Sequence, residues 1–236
     1  MFAITNNSVN NKPFVFKSFQ EKARTKNFLQ DFKTRRRKVS DEPEPSTKAK
    51  IAAGSAIGTA IPLVIFAKKQ KLDVSKLSQI FKLQFGLKEM VGVSSGAILG
   101  GVLTGMMFDK KNSKKEKTDE GVFQFLNSTI PLFFVSGIQK LSEKVPVLNK
   151  KPVKIGAIGA GIFASMHAAA KLANFINDPK NKVPDRKLGM IDAIVNIDEL
   201  AGALVLAGFP IVKTLKIEKL LPFISAWSGF RAGESN

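Results

Sequence analysis

MVGVSSGAILGGVLTGMMF, residues 90–108, is a run of nineteen uncharged residues that holds five glycines: Gly92, Gly96, Gly100, Gly101 and Gly105. Coiled as a helix it is roughly 28 Å long, close to the hydrocarbon thickness of a bilayer. Gly92, Gly96 and Gly100 recur every fourth residue, so they share one side of that helix and leave a groove a second backbone can enter. In lipid, where apolar side chains alone do not drive helices together, such a small-residue groove is a packing surface. The stretch therefore reads as a membrane helix made for close helix contact. A bulky residue at Gly96 is expected to push its neighbour away.

Working outward, further uncharged blocks lie at 51–67, 121–139, 155–170 and 200–212, and Lys and Arg crowd the segments between them. This segregation hides in the average: the mean hydropathy of the whole chain is only +0.02. With 37 Lys and Arg against 19 Asp and Glu, the 236-residue chain carries a formal charge of +18, which suits anionic lipid. The run Arg35-Arg36-Arg37-Lys38 alone does not specify nucleic acid, which is not an expected partner. Cysteine and tyrosine are absent, and there is one histidine. Disulfides, thiolate chemistry and a His/Cys metal site are thereby excluded, and no cofactor is expected. Residues 1–48 read as a poorly ordered basic tail with spaced phenylalanines, ending in an acidic Pro linker. The first residues lack the basic start and continuous apolar core of a secretory signal.

Three blocks align on their prolines, at Pro62, Pro131 and Pro210, each with Lys-Leu nine and ten residues on. The first two agree at six of twelve positions without a gap, and Gly156 then corresponds to Gly92. The expected unit is a Pro-bent helix, an amphipathic connector (72–87 in the first copy) and a Gly/Ala-rich helix. It occurs about two and a half times, over 49–117, 118–190 and 191–236. Such threefold repetition resembles the layout of the mitochondrial carriers, which implies parallel helix-pair units. That family's acidic residue two after each Pro is here Val64, Phe133 and Val212. Its basic residue five after is Ala67, Ser136 and Leu215, so the resemblance implies no transport function.

Gly92-Val93-Ser94-Ser95-Gly96 matches G-x-S-x-G and locally resembles the nucleophile elbow of patatin-type lipid acyl hydrolases. That resemblance implies a nucleophilic Ser94, an Asp-Gly motif downstream and a Gly-rich loop upstream. No Asp-Gly occurs, and a glycine zipper has the same spacing, so no catalytic residue is expected. Gln124, Asn127, His167, Lys171, Asp198 and Glu199 are the polar groups that would line an intramembrane pathway if there is one. His167 and Lys171, four apart, share a helix face, and Lys171 is placed to snorkel to headgroups. Asp198-Glu199 stands twelve and eleven residues before Pro210, as Asp119-Glu120 does before Pro131. The repeat favours carboxylates that open their helices, where they cap free N–H groups.

The sequence thus calls for an all-α integral membrane protein of four or five spanning or re-entrant helices. Two functions remain open. One is a non-enzymatic membrane-organising or assembly protein whose glycine grooves meet other membrane helices, another copy of the chain among them. The other is a small transporter or channel.

Overall fold

The computed structural model describes residues 43–110, 114–182, 185, 197–209, 212 and 214–235. All but the last residues of the expected tail, and the segment 191–196, lie outside the described residues. The description that follows concerns the unit from Pro43 to Asn236 by itself. Its helices are α1 (Pro45–Lys69), α2 (Leu77–Ile80), α3 (Leu87–Phe108), α4 (Lys114–Lys144), α5 (Pro146–Asn149), α6 (Lys151–Asn177), α7 (Ile197–Ala207) and α8 (Leu221–Glu234), with a 3₁₀ turn at Ile217–Leu220 before the last. No strand occurs among the described residues.

Four helices, α1, α3, α4 and α6, are long and apolar enough to cross a membrane, which is compatible with a membrane protein. Each extends beyond the uncharged block that announced it. Pro45 opens α1, where its missing N–H costs nothing. Glu89 Oε2 accepts from the Gly86 N–H at 3.1 Å and so caps the start of α3. In α4 the extension is charged: Lys115 Nζ donates to Asp119 Oδ2 at 2.6 Å, one turn on. The amphipathic connector is not one helix. It is a folded loop around the single turn α2, closed by the Gln70 side chain, which exchanges two 2.9 Å hydrogen bonds with the Gln84 backbone. Leu83 and Phe85 fold over the ends of α1 and α3 against Leu63, Ala67 and Val93.

Successive long helices are antiparallel. Gly54 of α1 lies at Thr104 of α3, while Phe66 lies at Gly92. Phe123 of α4 packs with Met166 and Ala170 of α6. Gly202 of α7 meets Leu132 and Gln139 reaches Leu206, so α7 runs parallel to α4. α8 returns beside α3. From Gly121 to Leu132 every residue of α4 is buried or half-buried, which makes α4 the centre of the bundle.

The aligned repeats differ in structure. Lys71-Leu72 follows the end of α1, with Lys71 in the left-handed region at φ 58°, whereas Lys140-Leu141 lies inside α4. The block expected over 200–212 stops at Ala207, where Gly208 turns to φ 71°. The 14-residue α8 is about 21 Å long and packs on α1 and α3.

On the outer faces apolar side chains line up. Ile57, Ile61 and Ile65 project from α1 and Leu99, Leu103 and Met107 from α3; Ile155 and Phe175 are exposed on α6. A soluble monomer rarely leaves so much contiguous apolar surface uncovered.

Candidate functional site

The closest helix contacts surround α3, whose glycines serve two neighbours. Toward α1, a methyl at Gly96 would overlap the Gly58 carbonyl oxygen and stand 2.9 Å from Pro62 Cγ. A methyl at Gly100 would overlap the Gly54 carbonyl and lie 3.0 Å from Gly58 Cα. Gly92 lies under the Phe66 ring. Pro62 has no N–H for the carbonyl four residues earlier, and that carbonyl is Gly58's. The oxygen lies instead against Gly96, where a Cα–H can partly replace the missing donor. The proline and the glycines are thus parts of one contact.

Toward α8, a Cβ at Gly101 would collide with the Gly229 backbone and one at Gly105 with that of Gly233. Ser55, fully buried, joins all three helices: its hydroxyl lies 2.6 Å from the Ala226 carbonyl and 3.3 Å from that of Ala97. Sequence reasoning missed Gly229 and Gly233, although Ser225, Gly229 and Gly233 carry the same every-fourth spacing. Gly156 does not pack on a helix of this chain: among the described residues nothing lies within 4 Å of the position its Cβ would take, and the same holds for Gly159. The glycine contact of the first helix pair is not repeated in the second, where Gly161 meets the Ile138 side chain.

At one end of this core lies a buried ion pair. Lys117 Nζ donates to Asp109 Oδ2 at 2.8 Å, to the Gly233 carbonyl at 3.0 Å and to the Ser235 carbonyl at 2.8 Å. The side chains of Lys117 and Asp109 are 0% and 2% exposed. An ammonium has three N–H groups, and here each has an acceptor. Lys117 closes the C-terminal end of α8 as a cation should, and ties it to the end of α3. The charge-rich run 109–120 therefore contains the most deeply buried charge of the described residues.

The polar residues scatter. Gln124 and Asn127 are buried on α4, and Gln124 Nε2 donates to Glu120 Oε1 at 2.6 Å. Among the described residues, Gln124 Oε1, both amide atoms of Asn127 and the Thr129 hydroxyl have no partner. His167 and Lys171 are exposed on α6, with His167 Nδ1 3.0 Å from the Phe163 carbonyl and its ring against Phe163. Asp198 and Glu199 fall in the first turn of the described part of α7, and their side chains lie outside the description. Asp119 and Glu120 do not open α4, which is already formed at Lys114. Asp119 instead pairs with Lys115, Nζ to Oδ2 at 2.6 Å one turn apart on the helix surface. Ser94 sits inside α3 and not on the strand-to-helix turn that a nucleophile elbow requires.

The chain matches no protein-family profile, no curated protein and no solved structure.

Proposed function

We propose that the chain is an integral membrane protein that works by organising helices in the bilayer, without catalysis. The observation that carries this reading is the sandwich of α3 between α1 and α8. Four glycines of α3, Gly96, Gly100, Gly101 and Gly105, are spent on backbone contact inside the chain, and Gly92 lies under the Phe66 ring, which favours a rigid anchor. The grooves first expected to receive outside helices are filled by the chain itself. The open small-residue stretch of α6, with Gly156, Gly159, Ala160 and Ala164 exposed, is then the surface offered to another membrane helix. Lysines at the helix ends, among them Lys68, Lys69, Lys144, Lys150 and Lys151, favour an anionic lipid surface.

A transporter reading draws on the unpartnered Gln124 and Asn127 atoms in the central helix. It is weakened by His167 and Lys171, which lie on the outer side of α6 and not beside that pair.

The absence of native cysteine allows a clean test. Gly159→Cys or Ala164→Cys is expected to give oxidative cross-links to a higher-mass species in the expressing membrane, and purified proteoliposomes are expected to hold a proton or potassium gradient. A dissipated gradient without α6 cross-links would put the transporter reading ahead.

A further inference from the structure

A small, partly open cavity of about 30 Å³ lies where α3, α4, α7 and α8 meet. Most of its wall is apolar, with Met90 and Leu132 among the lining, yet four serines face it: Ser94, Ser128, Ser225 and Ser228. Two of them have spent their protons within their own helices. Ser128 Oγ donates to the Phe125 carbonyl at 3.1 Å and Ser228 Oγ to that of Ile224 at 3.2 Å. Their oxygens keep lone pairs. Ser94, half-buried, and Ser225, 9% exposed, have no hydrogen-bond partner among the described residues. The neighbouring Ser95 does bond back to its own helix, to the Val91 carbonyl at 2.6 Å.

An O–H without an acceptor in an apolar bundle is costly, and an apolar partner cannot relieve it. Water can, if there is room. A buried water needs about 10–15 Å³ of such space and two or more polar partners, so the cavity has room for about two. We propose that this cavity is a hydration site inside the helix bundle, occupied by two water molecules. The Ser94 and Ser225 hydroxyls donate to the waters, and the waters donate to the Ser128 and Ser228 oxygens. Each water then has at least one donor and one acceptor from the protein, and the two can bond to each other. Because Ser94 belongs to α3, Ser128 to α4 and the other two to α8, the waters join all three helix hairpins. The last hairpin is seated through solvent, beside the dry glycine contact of α8 with α3.

The test uses the full chain in lipid nanodiscs, with water-to-protein magnetisation transfer at the slowly exchanging amides of Ser94 and Ser225. Xenon serves as the second probe, since a dry apolar cavity takes it up and a hydrated one does not. The expected result is a long-lived water signal at both serines and no xenon-induced shift at the Met90 and Leu132 methyls. In Ser94→Ala/Ser225→Ala the water signals are lost and xenon shifts appear. Wild-type protein without water signals, with or without xenon entry, overturns the proposal. So does a folded double variant that keeps them. If that variant fails to fold, the wild-type measurement decides alone.

Discussion

Lys117→Met keeps the length and apolar stem of the side chain and removes only the ammonium. Three acceptors lose their donor at once: Asp109 Oδ2 and the carbonyls of Gly233 and Ser235. Removing one member of a buried ion pair costs about 3–5 kcal/mol, because the other charge stays desolvated. The two carbonyls add to this, at about 1–3 kcal/mol each if they find no water. These terms are not additive, and their proximity to the end of the bundle admits solvent, so about 4 kcal/mol is expected in all. Replacing both charges is a different perturbation. Apolar residues in place of a buried pair are often neutral, so Lys117→Met/Asp109→Leu should recover most of the loss. The assay is SDS-driven unfolding in mixed micelles followed by the fluorescence of Trp227, which lies on α8, the helix that Lys117 holds. A single variant within about 1 kcal/mol of wild type would show that the pair does not fasten α8. A double variant no more stable than the single one would refute the explanation by stranded charge.

Three further outcomes follow from the backbone geometry. Gly96→Leu should disrupt the α1–α3 contact, costing about 3 kcal/mol or more, since even a methyl overlaps the Gly58 carbonyl; the same unfolding titration measures it. Gly156→Ala, by contrast, meets open space and gains helix propensity, so it should stabilise by about 0.5–1 kcal/mol. Lys71→Gly should also stabilise, by up to about 1 kcal/mol, because φ 58° disfavours a side chain and glycine enters that region freely; a rise in thermal midpoint is the check.

The long helices were legible because segregated apolar blocks are a strong local signal. Their ends were not, since the charges that bound each block also continue the helix, as Lys115 and Asp119 do in α4. The same habit hid Lys117. A lysine in a charge run reads as solvated, and its burial depends on carbonyls 116 and 118 residues away. Glycine spacing locates a flat helix side without saying what covers it. Gly96 and Gly156 look equivalent in sequence, yet one lies on a proline-freed carbonyl and the other on nothing. Gly229 and Gly233 escaped notice because α8 is short and carries Arg231 and Glu234, which weaken its apolar signature. The proline alignment did not carry over to the connectors: 70–86 folds into a loop around a single helical turn, whereas only 145–150 separates α4 from α6.

If α1, α3, α4 and α6 cross the bilayer as consecutive antiparallel spans, their connectors lie alternately on its two sides. Single cysteines at Ser75 and Asn149, in the two connectors at one end of the bundle, and at Lys114 and Lys180, at the other, test this most directly. All four positions are exposed. In sealed, uniformly oriented vesicles an impermeant thiol reagent should label one pair from outside, and the other pair only after the membrane is opened. Labelling of all four from the same side would contradict the account, because the helices would then enter and return without crossing.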